Sequence, residues 1–241
     1  MTIYGLIGRK LGHSFSAEYF NKKFENENIN ARYLNFEIET VKEIREITGK
    51  TPELKGLNVT IPYKEEIVAF LDAASPAVKD TGACNTIKIE SGRLYGFNTD
   101  VEGFEKSLTT FTGNEKMPAL VLGTGGASKA VCYVLRHHGI DFKTVSRNRM
   151  KGNLTYAELT PEIIEYHRLI INTTPLGMSP DTGLCPALPY DAITKNHYAF
   201  DLIYNPEETL FLKKFRSRGA KTKNGLQMLY AQAEAAWRIW K

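Results

Sequence analysis

The segment ALVLGTGGASKA, at residues 119–130, constrains the fold of this chain more than any other stretch. Its apolar start predicts a buried strand, and residues 127–138 predict a helix. Between them lie three glycines, Gly123, Gly125 and Gly126. Glycine at these places allows a tight turn and lets backbone N–H groups at the helix start approach a pyrophosphate. A dinucleotide-binding loop is therefore favoured over a plain glycine-rich turn.

The glycine pattern is incomplete, because Ser128 stands where the third glycine of GxGxxG would be. Its context strengthens the prediction, since a strand precedes it, a helix follows, and the strand-like run FKTVS comes next. No Gly-Lys-Ser/Thr closes the loop, so it is not a P-loop. The segment predicts the first βαβ unit of a nucleotide-binding domain.

The end of the next predicted strand distinguishes NAD from NADP. NAD-selective domains usually carry Asp or Glu about twenty residues after the loop. Here the strand ends TVSRNRMK, with Ser146, Arg147, Arg149 and Lys151 and with no acid. A carboxylate repels a 2′-phosphate, whereas arginine binds it by paired, charge-assisted hydrogen bonds. NADP is therefore the predicted cofactor, and a solvated basic turn is the alternative.

Strand-like and helix-like segments alternate along the chain. Strands are predicted at 2–8, 31–38, 57–61, 169–173 and 199–204, helices at 14–28, 41–48, 101–112, 206–219 and 225–240, and a hairpin over 84–100 with its turn at Ser91 and Gly92. This alternation predicts an α/β fold with largely parallel sheets covered by helices. We place a domain break around residue 101 and expect the last helix to return to the first domain. The predicted domains are 1–101 plus 225–241, and 102–224.

Composition and charge exclude several function classes. The 241 residues carry a formal net charge of only +4, and the Lys and Arg are scattered, so no nucleic-acid groove is indicated. A pocket for an anionic small ligand fits this charge equally well. Three cysteines without a CxxC pair indicate reduced thiols and a cytoplasmic protein. No segment approaches the roughly eighteen apolar residues of a membrane span.

The run GLNVTIPYKEE, residues 56–66, places a lysine directly after a predicted strand. Pro62 cannot continue a ladder, and the apolar spacing of the following residues predicts a helix that opens at Lys64. A cation at a helix N-terminus opposes the helix dipole, so helix stability does not explain Lys64. It is either a solvated surface lysine or a site residue.

Four polar groupings end strand-like runs: GHSFS (12–16), NVTIPYK (58–64), ACNT (83–86) and FNTD (97–100). In open α/β sheets, ligands bind beyond the carboxyl ends of strands, where distant residues converge. Each grouping also has a local explanation, because Ser14 could cap a helix and Asp100 could cap the helix predicted from 101. Together, their hydroxyl, amide and ionisable groups suit a small polyhydroxylated substrate.

These groupings are followed by GTGGASKA, NTTPLGM, DLIYNP and NGLQMLYAQA, in the order seen in shikimate dehydrogenases, and the chain resembles that family over nearly its whole length. The resemblance implies an N-terminal α/β substrate domain, a Rossmann-type NADP-binding domain and a cleft between them. It implies reversible, NADPH-dependent reduction of 3-dehydroshikimate to shikimate, in aromatic amino-acid biosynthesis. Alternatives are a quinate/shikimate dehydrogenase of dual specificity, which Ser14 with Ser16 disfavours, and a non-catalytic NADP-binding sensor, which intact Lys64 and Asp100 disfavour.

The resemblance also implies site residues, motif by motif. Lys64 and Asp100 match the catalytic pair. The substrate-binding positions are Ser14, Ser16, Thr60, Lys64, Asn85, Asp100, Tyr204 and Gln232, with Tyr204 near the substrate carboxylate. The cofactor-binding positions are Gly123, Gly125, Gly126, Ala127, Ser146, Arg147, Lys151, Asn172, Thr173 and Met228, the last three on the nicotinamide side. We expect no metal, no nucleic-acid or membrane partner, and a monomer or homodimer.

The chain departs from the family pattern at three places. Lys10 stands where a proline is usual, and Asn224 stands where an aspartate commonly precedes the glycine. The second cation of the phosphate clamp is Lys151, or Arg149 does its work. These departures concern loop geometry and NADP affinity, not the reaction.

Overall fold

A computed structural model describes residues 1–12, 14–113 and 115–241 of the chain. The described chain divides into two compact units, one made of Met1–Thr99 with Ala233–Lys241 and the other of Asp100–Gln232. Each unit contains a six-stranded sheet.

The first unit is a mixed α/β layer. Its strands are β1 (Thr2–Gly8), β2 (Ala31–Glu37), β3 (Leu54–Val59), β4 (Ala73–Ala74), β5 (Thr86–Glu90) and β6 (Arg93–Phe97), and its helices are α1 (Phe15–Asn26), α2 (Ile44–Lys50) and α3 (Pro76–Thr81). The strand order is β2-β1-β3-β5-β6-β4. β1 runs parallel to β2 and β3, whereas β5 runs antiparallel to β3 and β6. The predicted hairpin is confirmed, because Ser91 and Gly92 both have positive φ, as a tight two-residue turn requires.

An aromatic cluster forms one core of the first unit. Its buried rings come from α1, β1, β2 and the last helix, α8 (Leu226–Trp240): Tyr4, Phe20, Phe24, Tyr33, Trp237 and Trp240. The indole Nε1 of Trp240 donates to the carbonyl oxygen of Ile87 at 3.0 Å. A Cβ at Gly56 would lie 2.4 Å from the Trp240 ring, so only glycine admits this close approach. The C-terminal end of α8 is therefore built into the first unit.

The second unit is a doubly wound sheet. Its remaining elements are α4 (Thr99–Thr112), β7 (Ala119–Leu122), α5 (Gly126–His137), β8 (Phe142–Ser146), β9 (Leu154–Thr155), α6 (Pro161–Tyr166), β10 (Leu169–Asn172), β11 (Tyr198–Asp201), α7 (Leu210–Arg216) and β12 (Lys221–Lys223). All five strand pairings are parallel, in the order β12-β11-β10-β7-β8-β9. Read from β9, this is the 3-2-1-4-5-6 order of dinucleotide-binding domains, with the topological switch point between β7 and β10.

Two predicted helices begin elsewhere than expected. The helix predicted over 206–219 begins at Leu210, because Thr209 caps it: its Oγ1 accepts from the backbone N–H of Leu212 at 3.3 Å. The helix predicted from residue 101 begins at Thr99. Asp100 is therefore inside the first turn, and its interpretation as the N-cap is wrong. Within the described ranges, no helix is both long and apolar enough to cross a membrane.

Candidate functional site

The glycine loop of the second unit lies at the switch point of its sheet. Gly123 follows β7 with φ +110°, and a Cβ there would lie 2.7 Å from the Oγ1 of Thr173, which follows β10. Only glycine fits this close approach of the two strand ends. Thr173 also donates from Oγ1 to the carbonyl oxygen of Leu122 at 2.7 Å. The structure therefore brings together two predicted cofactor positions, Gly123 and Thr173.

Gly125 has a different role in the same loop. It is the N-cap of α5, in ordinary extended backbone, and a Cβ on it would meet no heavy atom within 4 Å. Gly126 and Ala127 then form the first two residues of α5, whose backbone N–H groups lack acceptors in the helix and carry partial positive charge. This is the arrangement that binds a pyrophosphate.

Ser128, which stands where the third glycine of the pattern would be, has a structural role in the loop. Its side chain is buried, and its Oγ donates to the carbonyl oxygen of Gly123 at 2.8 Å, back across the turn. The serine therefore closes the loop by a hydrogen bond where the usual glycine would allow close helix packing.

The carboxyl end of β10 is held by a buried acid. Asn172 is fully buried; its Nδ2 donates to Asp201 Oδ1 at 3.0 Å, and its Oδ1 accepts from the backbone N–H of Thr174 at 3.0 Å. Asp201 also accepts from the Thr209 hydroxyl at 2.6 Å. Burial raises the pKa of Asp201 to about 6, against the opposing effect of these hydrogen bonds. The side chain of Asn172 is thus engaged within the protein, so it shapes the loop after β10.

The basic turn after β8 is stabilised from within. Ser146 is buried and accepts from the backbone N–H of Asn148 at 3.1 Å. Arg149 donates to the carbonyl oxygen of Asn153 and lies 3.7 Å from Glu158. Arg147 and Lys151 are exposed, as is Arg149. Because the Arg149 guanidinium is engaged by Asn153 and Glu158, Arg147 and Lys151 are the better placed to meet a phosphate from solvent.

Three other predicted positions of the second unit lie in or near α8 and β11. Tyr204 is partly exposed, and burial raises its pKa. Gln232 donates to the carbonyl oxygen of Leu229 at 3.0 Å. Met228 is 7% exposed and belongs to a core cluster with Phe104, so most of its surface packs against protein.

Asn224 keeps a capping function despite its departure from aspartate, because its Oδ1 accepts from the N–H of Leu226 at 3.2 Å.

In the first unit, the segment after β3 differs from the prediction. The helix expected to open at Lys64 is wrong: residues 61–65 form turns, and Glu66–Phe70 form a short 3₁₀ helix. The argument from a helix dipole therefore does not apply to Lys64. Its position is instead fixed by its backbone, since the Lys64 carbonyl oxygen accepts from the N–H of Cys84 at 2.7 Å. This bond ties Lys64 to the segment that carries Asn85.

Asn85 is the centre of a buried polar cluster at the same sheet end. Its Oδ1 accepts from the backbone N–H of Thr99 at 2.7 Å and from the hydroxyls of Thr99 and Thr86 at 3.1 and 3.2 Å. The carbonyl oxygen of Asn85 accepts from Val59 N–H at 2.9 Å, and Thr60 N–H donates to Ile7 at 3.0 Å. The ends of β1, β3 and β5 are thereby joined, which sets Thr60 and Asn85 in one region.

The serines of the first motif lie at the start of α1. Ser14 is its N-cap and accepts from the N–H of Ala17 at 3.3 Å. Ser16, two residues further along, is half-buried. His13, within the same motif, lies outside the described residues. Lys10 is exposed, and the next residue, Leu11, donates its N–H to Glu37 at 2.7 Å.

Lys64 belongs to the first unit and Asp100 begins the second. Their action as a pair stays a prediction.

Similarity to known proteins identifies the family. Residues 6–87 match the model of the shikimate dehydrogenase substrate binding domain. A shikimate dehydrogenase (NADP(+)) of Clostridium beijerinckii is 40% identical over 258 residues, a match that covers 100% of this chain and 92% of that protein. The chain belongs to the shikimate dehydrogenase family. The family that the sequence resembles is thereby confirmed.

Solved structures of the family have the same fold. Shikimate 5-dehydrogenase from Thermus thermophilus, in complex with NADP(H) and shikimate, is 31% identical, covers 100% of this chain and 94% of its own, and has a TM-score of 0.89. Quinate dehydrogenase from Corynebacterium glutamicum, in complex with NAD, is 25% identical with a TM-score of 0.90, over 100% of this chain and 93% of its own. Because the two neighbours resemble this chain equally well, the fold does not distinguish a shikimate dehydrogenase from a quinate dehydrogenase. That distinction depends on individual residues.

The sequence reasoning missed several polar residues that support the site. Tyr33, Asn58, Thr86 and Thr99 are buried in the first unit, and Asp201 is buried in the second. Asn58, Thr86, Thr99 and Asp201 lie inside quoted motifs, so their polarity at otherwise apolar strand positions was an available signal. Tyr33 lies in none of the motifs and resembles an ordinary core aromatic.

Proposed function

We propose that this protein catalyses the reversible, NADPH-dependent reduction of 3-dehydroshikimate to shikimate, in the cytoplasm, as a step of aromatic amino-acid biosynthesis. The observation that carries the proposal is the pair of Lys64 and Asp100, present in a chain that matches a shikimate dehydrogenase over its whole length. A binding protein without catalytic activity would not need Lys64 as a proton donor.

The second unit supports NADP as the cofactor. Gly123, Gly125, Gly126 and Ala127 would hold the pyrophosphate against the start of α5, where the space in front of Gly125 is open. Arg147 and Lys151, with Ser146, would hold the 2′-phosphate. Asn172, Thr173 and Met228 would line the nicotinamide side; of these, Asn172 and Met228 act by shaping the wall, since both are buried.

The predicted substrate-binding positions, Lys64 and Asp100 among them, would hold the substrate. Ser14, Ser16 and Tyr204 supply hydroxyls suited to a carboxylate. Thr60, Asn85 and Gln232 supply hydroxyl and amide groups suited to ring hydroxyls. Ser14 together with Ser16 favours shikimate over quinate, which sets the single-substrate function ahead of dual specificity.

The reaction requires charge stabilisation at one oxygen. NADPH, when bound, supplies the hydride to the carbonyl carbon of the substrate. As that carbon is reduced, its oxygen gains negative charge and must receive a proton. Lys64 meets this charge with its ammonium group or donates the proton. Asp100 would orient the ammonium group.

The test measures NADPH formation by ultraviolet absorbance with shikimate and NADP⁺, then with quinate, then with NAD⁺. We expect the highest kcat/KM with shikimate and NADP⁺. Comparable efficiency with quinate would establish the dual-specificity alternative. NADP⁺ binding without turnover on either acid would contradict an enzymatic function and favour a sensor.

A further inference from the structure

A cavity of about 380 Å³ lies in the second unit, outside the motifs that the proposed function uses. Its volume falls within the range of small-ligand sites, roughly 300–1,000 Å³. Most of its wall is apolar or aromatic, and a lysine of α7 contributes the charge. We name it the α7 cavity, and the residues that matter for its chemistry are Tyr156, Leu159, Pro186, Pro189, Tyr190 and Lys214.

The α7 cavity lies on the opposite face of the sheet from the pyrophosphate loop. In β7, Val121 packs in a cluster with Val131 of α5, whereas Leu122 packs in a cluster with Leu159 of the cavity wall. Because successive side chains of a strand point to opposite faces, α5 and the cavity lie on different sides of the sheet. A ligand in the cavity therefore leaves the start of α5 free.

The wall of the cavity contains an unused hydrogen-bond donor. Tyr156 lines the cavity, and its hydroxyl is buried without a hydrogen-bond partner in the part of the chain that the structure describes. Burial raises the pKa of Tyr156, so the hydroxyl keeps its proton and remains a donor. Buried polar groups are normally paired, and an unpaired one carries a desolvation cost. An acceptor bound beside Tyr156 would offset that cost.

Lys214 brings an uncompensated positive charge to the same cavity. Its neighbour on α7, Arg216, forms an ion pair with Glu208 at 2.7 Å. Lys214 is half-buried and forms no ion pair within the described ranges; its Nζ lies 4.4 Å from the centroid of the Tyr190 ring. This contact with a ring leaves the charge without a counter-ion. The unused donor and the unpaired cation both call for an anionic acceptor.

The rest of the wall favours a flat, apolar ring. The hydroxyl of Tyr190 donates to the carbonyl oxygen of Pro186 at 2.7 Å, and its ring meets Phe215 edge-on at 6.0 Å between centroids. These two contacts fix the Tyr190 ring in place and leave its π surface as the part of the residue that a ligand can use. Aromatic rings pack favourably on such a surface. Leu159 and Pro189 extend the apolar wall.

We propose that the α7 cavity is a second ligand site, which binds an aromatic monocarboxylate. Its ring packs against Tyr190 and Leu159, and its carboxylate accepts from the Lys214 ammonium group and the Tyr156 hydroxyl. One ligand group thereby pairs both the unused donor and the uncompensated cation. This inference goes beyond the function proposed above and does not depend on it.

Titration with benzoate, followed by ¹H–¹⁵N NMR of the full chain, tests the site. Saturating shikimate and NADPH, a pair that does not react, are present throughout, because benzoate otherwise competes for the proposed substrate site. We expect saturable shifts at residues 156–159 and 185–190, with a dissociation constant of about 1 mM or tighter. Benzamide, which keeps the ring and lacks the charge, should bind about tenfold more weakly.

Two substitutions and a matched control locate the carboxylate. Tyr156→Phe removes the hydroxyl and keeps the ring, and Lys214→Met removes the charge and keeps most of the stem. Each should weaken benzoate binding about three- to tenfold, the size of one lost hydrogen bond, and leave the KM for shikimate unchanged. Lys213→Met is the control, since Lys213 is exposed on α7 and is not part of the cavity wall. It should bind benzoate like wild type.

A third variant keeps the test decisive if a thermal melt shows Tyr156→Phe to be unfolded. Ala187 is an exposed residue of the cavity wall, so Ala187→Trp fills the cavity from its rim and should abolish the benzoate shifts. Benzoate that binds these variants as tightly as wild type, or that shifts residues elsewhere only, overturns the inference. Binding that disappears when shikimate is present does so too. A wild-type chain that binds benzoate in the cavity and fails to turn over shikimate overturns the proposed function alone.

Discussion

Substitution by alanine should mainly lower folding stability at Gly123 and mainly weaken cofactor binding at Gly125, although the two glycines are only two residues apart. At Gly123 the backbone has φ +110°, and the new Cβ would lie 2.7 Å from Thr173 Oγ1. A strained backbone and an overpacked contact together should cost about 2–4 kcal/mol of folding stability. At Gly125 the backbone is ordinary and the Cβ meets nothing within 4 Å. The loss of glycine as N-cap should cost less than about 1 kcal/mol.

At Gly125, alanine should weaken cofactor binding although it costs little folding stability. We expect its new methyl group to occupy the space in which the pyrophosphate approaches α5. Loss of one charge-assisted hydrogen bond there would weaken NADP⁺ binding about tenfold or more. Urea denaturation measures the stability of both variants, and calorimetry measures NADP⁺ affinity. Wild-type affinity in Gly125→Ala would refute the loop as the pyrophosphate site, and wild-type stability in Gly123→Ala would refute the steric argument.

Two further experiments test the cofactor site and the buried acid. Arg147→Ala should raise the KM for NADP⁺ about ten- to a hundredfold, with the KM for shikimate little changed. Arg149→Ala should raise the KM for NADP⁺ less, because the guanidinium of Arg149 is engaged within the turn. Equal effects of the two substitutions in steady-state kinetics would contradict this difference. Burial raises the pKa of Asp201 to about 6 from 3.8, so the folded chain binds this proton more tightly than the unfolded chain. The resulting stabilisation, up to about 3 kcal/mol, should be complete below about pH 4 and lost as the pH rises through about 6. Asp201→Asn should lack this dependence in urea denaturation, and parallel curves for wild type and variant would contradict it.

The sequence predicted the second unit well because its signals are local. A strand, three glycines and a helix are contiguous, and the basic turn follows the next strand, so periodicity and turn chemistry sufficed. Ser128 could not be interpreted this way. Its reason, a bond to the carbonyl oxygen of Gly123, depends on the closed geometry of the turn.

The first unit was harder because its determinants are distant in sequence. The apolar spacing after Lys64 indicated a helix, but Pro62 and the bond from Cys84 to the Lys64 carbonyl hold the chain in turns. Tyr33 resembled a core aromatic, since nothing in β2 reveals that its hydroxyl meets Asn58, 25 residues away. Propensity describes neighbours along the chain, and tertiary contacts decide these cases.

The central claim is that Lys64 meets the charge on the reacting oxygen, and Lys64→Ala tests it most directly. The variant should lose about 10²–10⁴-fold in kcat while the KM for shikimate changes little, because the lost interaction belongs to the transition state. Asp100→Asn should also slow turnover, and the double variant should be little worse than Lys64→Ala, since the two act as a unit. Lys55→Ala is the control, an exposed lysine on β3.

The deciding measurement is steady-state kinetics with shikimate and NADP⁺. A thermal melt of each variant shows whether it is folded. A folded Lys64→Ala protein with a collapsed kcat and a retained KM is the predicted result. A Lys64→Ala protein that turns over shikimate at the rate of wild type and of Lys55→Ala would contradict the account.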